Sequence, residues 1–356
     1  AVGSSSHVLK NACFVFFKAA ERTRTRGEGR QPPPRAPPAR IGITRAPRRL
    51  RRSQDLVPRT RVLSAPGVSQ DLRIRGPHLL PRESRSSAGQ VHSPVMQPTM
   101  PLAIVTGASR GLGRAVAVAL AEGGEYRVCA VCRDAASAAE TVDALKDASP
   151  RTSAAAHRAT VVDLGDAQAA AEPPATLAAR VAGGDEPVAL LVNNAGVYLD
   201  EWTPAAFATS RRVNLLAPLA LIAATRFASN ARVVNVSSGY GQLAGLSPTY
   251  RRDVDAARTF DELRAIDFRA DDPMGNEFVA PYKVTKAMLN KATRIAAADL
   301  APRGIRVNSV CPGWVRTRMG GPAADRSVDE GAASILWATT TDQTGGFFRD
   351  GAPLRW

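Results

Sequence analysis

The chain has 356 residues, a formal net charge of +15 and 44% hydrophobic residues, enough to build a substantial core and basic enough to raise nucleic acid as a partner. The charge is concentrated: residues 1–99 hold 19 Lys and Arg against 5 Asp and Glu, and residues 100–356 hold 28 against 27. A nucleic-acid footprint is therefore excluded for 100–356, no apolar run reaches the ~20 residues of a membrane span, and four scattered cysteines, Cys13, Cys129, Cys132 and Cys311, exclude a disulfide framework.

In chain order, residues 1–99 come first. They join Pro-rich runs (residues 31–38), clustered Arg48, Arg49, Arg51 and Arg52, and Ser, with almost no apolar periodicity. Such a segment buries too little apolar surface to offset the entropy of ordering it, so a disordered basic extension is expected. Its apolar run 12–17 is too short for a secretory core. Three readings stay open: a transit peptide, a translated leader, and an arm for RNA or a membrane surface. Met100, just before the first strand-like run, reads as a start site. The cysteine usage points to a reducing, cytoplasmic setting, or to a plastid or mitochondrion if the extension is a transit peptide.

From residue 100 onward, short apolar runs alternate with longer amphipathic ones. Strands are predicted at 102–106, 127–132, 159–162, 189–193, 233–237, 306–311 and a short one at 347–348, and helices at 112–122, 137–146, 213–228 and 282–300. Continuous apolar strands mean a sheet covered on both faces. The expectation is a single α/β, doubly wound domain over 100–356 with a parallel sheet of about seven strands. Cys129 and Cys132 fall in one strand, three apart and so on opposite faces, which argues against a metal or redox pair. No metal site is predicted.

The first strand runs into Thr106-Gly107-Ala108-Ser109-Arg110-Gly111-Leu112-Gly113 and then an apolar helix. Glycines at a strand-to-helix turn let backbone approach a pyrophosphate, which the helix N-terminus stabilises. Further blocks follow: Asn193-Asn194-Ala195-Gly196, Asn214, Ser238 in Asn235-Val236-Ser237-Ser238, Tyr282 with Lys286, and Cys311-Pro312-Gly313-Trp314-Val315-Arg316-Thr317. In this order, across nearly all of 102–317, they resemble the short-chain dehydrogenase/reductase family. That resemblance implies a Rossmann-type fold and a nicotinamide cofactor held by Gly107, Ser109, Arg110, Gly111, Leu112, Gly113, Arg133, Asp163, Asn194, Ala195, Gly196, Tyr282, Lys286, Pro312, Gly313, Val315 and Thr317. It also implies a catalytic set of Asn214, Ser238, Tyr282 and Lys286, with Asn214 holding a water behind Lys286. For Asp163, an adenine contact and a helix cap both remain open.

A ketone that accepts hydride needs a proton on its oxygen, and a free phenol is a weak acid for that task at neutral pH. Lys286 lies one helical turn after Tyr282. At roughly 5 Å and an effective dielectric of about 20, its ammonium favours the phenolate by about 3 kcal/mol, which would bring Tyr282 toward its working range. Ser238 would hydrogen-bond the substrate oxygen. Arg133, at the end of the second strand where a carboxylate would suit NAD, favours a 2′-phosphate and hence NADPH/NADP, with Arg110 as a second cation. Asp134, one residue later, reads as a helix-cap acid.

Ser238 and Tyr282 are 44 positions apart, much farther than in most of the family. This insertion, at about 240–280 with helical character at 259–263, resembles the monomeric carbonyl reductases, and plant menthone- and alkaloid-type reductases share it. The expected activity is NADPH-dependent reduction of a ketone, aldehyde or quinone by a monomer. Alternatives are oxidation of a secondary alcohol or 3-oxoacyl reduction with the same residues, and a catalytically silent NADPH-binding sensor.

Overall fold

In the computed structural model, which describes residues 100–150 and 157–356, the first strand β1 (Leu102–Thr106) is buried along its whole length. The expected disordered extension at 1–99, with Cys13, lies outside the described residues. After β1 come α1 (Gly111–Glu122), β2 (Arg127–Cys132), α2 (Ala135–Ala148), β3 (Arg158–Val161), α3 (Ala167–Ala171), α4 (Pro174–Ala182) and β4 (Val188–Asn193). The chain continues through α5 (Pro204–Arg211), a π-helical turn (Arg212–Leu216), α6 (Ala217–Ala224) and β5 (Phe227–Val236). The insertion then forms α7 (Pro248–Ala256) and α8 (Phe260–Ala265), and α9 (Ala280–Leu300), β6 (Arg306–Val310), α10 (Val328–Ala338), β7 (Phe347–Arg349) and β8 (Ala352–Pro353) complete the order.

The sheet order is β3-β2-β1-β4-β5-β6-β7-β8. Pairing is parallel from β3 through β7, and only β7 with β8 is antiparallel. The expected seven parallel strands are present. The eighth is a two-residue edge strand ending in Pro353, too short to leave a pattern in sequence. Alternation along the strands divides the core. Leu102 and Ile104 pack with Leu177, Val181, Leu221 and Ile222 on one face, and Ala103 and Val105 pack with Val116, Leu120, Leu145 and Ile335 on the other. Cys129 and Cys132 fall into these two opposite clusters, as their spacing requires. The strand order reverses between β1 and β4, which opens a crevice at their carboxyl ends, the usual ligand position in such sheets.

One prediction needs correction. The helix expected at 213–228 stops at Ala224, and Phe227 already belongs to β5, paired with Val188. Helix α6 is apolar nearly all round, with Leu219, Leu221 and Ile222 buried, so it carries no polar face whose loss would mark its end.

The insertion builds a third cluster. Tyr250, Val254, Leu263, Ile266 and Met274 pack against Val284, Ala287, Met288 and Ala292 of α9, with Phe260 and Phe268 at the edge. Helix α8 starts with a capping box, in which Thr259 and Glu262 bond each other's backbone N–H.

Candidate active site

The glycine turn after β1 is locked by close approaches. Gly107 has φ +65°, and a side chain there would lie 2.8 Å from Ala195 Cα. At Gly113 a Cβ would meet the Gly107 carbonyl at 2.3 Å and Asn194 Nδ2 at 2.4 Å. Thr106 ties this turn to the one after β4: its hydroxyl accepts from the backbone N–H of Asn194 and of Ala195, each at 3.0 Å. Asn194 Nδ2 donates back to the Thr106 carbonyl at 2.9 Å. At Arg110, which precedes α1, no side chain caps the helix, so its first N–H groups stay free to meet an anion.

These turns border a cavity of about 480 Å³ lined by Gly107, Ser109, Arg110, Leu112, Gly113, Arg133, Asp163, Asn194, Ala195, Gly196 and Thr317, together with Val131, Val162 and Met319. The volume suits a dinucleotide half, and the cradle of glycines fits the pyrophosphate. Of the other predicted cofactor residues, Gly111 sits beside the Thr317 methyl. Tyr282, Lys286, Pro312, Gly313 and Val315 lie outside the cavity lining. Asp163 faces the cavity and accepts from the Gly165 N–H at 2.8 Å, while the cap of α3 is Asp166, so the helix-cap reading of Asp163 is replaced. Asp134 does cap α2, accepting from the Ser137 N–H.

At the carboxyl end of β5 the chain turns at Ser238, whose Oγ accepts from the Tyr240 N–H. The turn is held from below: the Gly239 N–H donates to Cys311 Sγ at 3.1 Å, and Arg349 donates to the same sulfur at 3.0 Å. Tyr282, on the first turn of α9, is buried, with the Ser238 side chain beside its hydroxyl. Lys286 is 3% exposed and donates to the Val236 carbonyl at 2.7 Å, with Nζ 5.7 Å from the Tyr282 ring centre. Asn214, in the π-helical turn, accepts from the Val197 N–H at 2.9 Å and donates to Thr285 Oγ1 at 3.1 Å. Gly196 separates Asn214 from Lys286: a Cβ there would be 3.3 Å from Asn214 Oδ1 and 3.6 Å from Lys286 Nζ.

Electrostatically the site departs from one expectation. Burial pushes the Tyr282 phenol above its ordinary range, against the opposing effect of the neighbouring Ser238 hydroxyl. Burial also pulls Lys286 down to about 8. An effective dielectric of about 20, at which the lysine charge would draw the phenol down, belongs to partly wet sites. In the fold both groups lose water, and Lys286 points its ammonium at a backbone carbonyl.

Several neighbours carried no motif signal. Tyr198 packs edge-on to Tyr282 at 4.9 Å and to Phe278 at 6.3 Å, and Tyr240 lies 6.5 Å from Tyr282. Tyr240, Phe278, Trp314 and Met319 are exposed large apolar residues. Tyr198 could have been suspected from its place two residues after the Asn-Asn-Ala-Gly turn, and Thr285 from its place beside Lys286. Tyr240 and Phe278 meet Tyr282 and Tyr198 only through the path of the insertion. Among the described residues there is no cluster of metal-binding side chains, and no helix is long and apolar enough to cross a membrane.

Residues 101–249 match the family described as short chain dehydrogenase, and residues 272–342 match that described as enoyl-(acyl carrier protein) reductase. A galactitol 2-dehydrogenase (L-tagatose-forming) of Cereibacter sphaeroides is 30% identical over 61% of this chain and 72% of its own length. Among solved structures, salutaridine reductase of Papaver somniferum superposes with a TM-score of 0.57 at 25% identity, covering 70% of this chain and 99% of that one. An NADPH-bound carbonyl reductase from chicken fatty liver shares the fold, with a TM-score of 0.53 at 23% identity over 72% of this chain and 99% of that one. The chain belongs to the short-chain dehydrogenase/reductase family, nicotinamide-dependent oxidoreductases that act on alcohol and carbonyl groups.

Proposed function

We propose that the chain is an NADPH-dependent carbonyl reductase, with its working domain at residues 100–356 and the insertion at about 240–280 closing one side of the cleft. One observation carries the chemistry: Tyr282 is buried beside Ser238, one helical turn from the buried Lys286 of the same helix. The nicotinamide, when bound, supplies hydride to the carbonyl carbon. Ser238 holds the carbonyl oxygen, and Tyr282 delivers a proton to it from its hydroxyl. Burial keeps Tyr282 protonated until charge develops on the substrate oxygen, which suits a donor in the reducing direction. Lys286 and a water held by Asn214, on the two sides of the space over Gly196, return a proton toward Tyr282. The two bind, orient and recharge the donor without touching the substrate.

Preference for the phosphorylated cofactor is supported by Arg110 and Arg133 on the cavity wall, where the neighbouring acid Asp134 serves as the cap of α2. The exposed Tyr240, Phe278, Trp314 and Met319 favour an apolar or aromatic carbonyl compound over a sugar. Turnover of such ketones by Tyr282→Phe tests the reading. The variant is expected to retain less than about one hundredth of the rate, within the ~10²–10⁴-fold contributed by a positioned proton donor, with NADPH binding nearly unchanged by fluorescence titration. A variant that kept a tenth of the rate would refute the assignment of Tyr282.

A further inference from the structure

Most guanidinium groups of the described residues are engaged. Arg326, for example, grips the Asp350 carboxylate at 2.7 and 2.8 Å, and Arg251 donates to the Leu243, Ala244 and Leu246 carbonyls. Among the described residues the guanidinium groups of Arg110, Arg133, Arg318 and Arg355 make no hydrogen bond, ion pair or ring contact. Arg110 and Arg133 line the cofactor cavity, and so do Thr317 and Met319, the neighbours of Arg318 on either side.

Arg318 sits on a firmly built loop after β6. Trp314 Nε1 donates to the Gly320 carbonyl at 2.8 Å, the Gly321 N–H to the Thr317 carbonyl at 2.8 Å, and the Arg326 N–H to the Trp314 carbonyl at 3.0 Å. The loop leans on the glycine turn, with the Thr317 methyl 3.3 Å from the Cβ position of Gly111. Partial desolvation, and then the nearby Arg318 and Arg133 charges, lower the Arg110 pKa, so the three cations share one neighbourhood. The acid among them, Asp134, already accepts from the Ser137 N–H at 2.8 Å. Repulsion between like charges is unfavourable in the free protein, and a bound dianion relieves it.

We propose that Arg318 is a third cation for the adenosine 2′-phosphate, brought across the cleft by the loop after β6, and that it sets cofactor specificity together with Arg110 and Arg133. The pyrophosphate already has the free N–H groups of α1, whereas Arg110 and Arg133 flank the end of β2, where the adenosine ribose belongs. This inference rests on the NADPH reading above.

Calorimetry with 2′,5′-ADP and 5′-AMP, which differ only in the 2′-phosphate, tests it on the full chain, with Arg318→Ala and Arg133→Ala beside the unmutated protein. The unmutated chain is expected to favour 2′,5′-ADP, and Arg318→Ala to lower that preference about tenfold, as for one charge-assisted contact, with 5′-AMP affinity unchanged. If Arg133→Ala loses the preference and Arg318→Ala keeps it, the role of Arg318 is overturned while the NADPH reading stands. Equal weakening of both ligands by Arg318→Ala also overturns it, placing Arg318 elsewhere on the cofactor. If the unmutated chain shows no preference, the NADPH reading itself fails, and the inference with it.

Discussion

Lys286 should make the protein's stability depend on pH in a direction opposite to ordinary surface lysines. Its ammonium is buried with a single carbonyl partner, and its pKa falls from 10.5 to about 8. Below pH 8 the folded protein therefore carries a charge whose burial costs about 3 kcal/mol. Between about pH 8 and 10.5 the folded state releases a proton that the unfolded chain still holds, so stability rises with pH across that window. Integrated from pH 7 to 9.5, the gain is about 2 kcal/mol relative to Lys286→Met, whose side chain does not titrate. At pH 7 the variant escapes the burial cost but leaves the Val236 carbonyl unpaired, a loss of about 1–3 kcal/mol, so the two proteins should be close there. Urea unfolding of both proteins without cofactor, at pH 7 and 9.5, measures the difference. A stability gap that stayed constant between the two pH values would show that Lys286 is not desolvated. The variant should also lose turnover at both.

Arg133→Ala should lower the NADPH-over-NADH ratio of kcat/KM by about tenfold; an unchanged ratio in steady-state assays would remove Arg133 from the 2′-phosphate site. Gly113→Ala puts a methyl 2.3 Å from the Gly107 carbonyl, so thermal unfolding should report a loss of about 1–3 kcal/mol and NADPH titration a weaker complex. Wild-type values for both would mean that the two turns do not approach so closely. Because the insertion buries Val284, Ala287 and Met288 of α9 under Tyr250, Leu263 and Met274, and carries many charges of both signs, light scattering should return a monomer mass at micromolar concentration. A tetramer would contradict that expectation.

Much of this protein was legible from residue order alone. The alternation of apolar runs and amphipathic stretches fixed a doubly wound sheet, because strands covered on both faces must be apolar throughout. The spacing of Gly107, Gly111 and Gly113, and of Tyr282 with Lys286, marked the turn and the helix face, because these are local geometries of a few residues. The end of α6 was not legible, since a helix buried on nearly every side shows no periodicity at its boundary. Nor was β8, whose two residues become a strand only by pairing with β7.

At the site the division is the same. The family resemblance pointed to Asn214, Ser238, Tyr282 and Lys286, and spacing put the last two on one helix face, but the burial that raises the Tyr282 pKa and lowers that of Lys286 exists only once α9 packs against β5, β6 and the insertion. Likewise Arg318, far in sequence from Arg110 and Arg133, joins them only because the loop after β6 folds back over the glycine turn. Chemistry that depends on neighbours along the chain is written in the sequence. Desolvation and the clustering of distant charges are properties of the packed structure, because both depend on which water is excluded and which charges end up near each other.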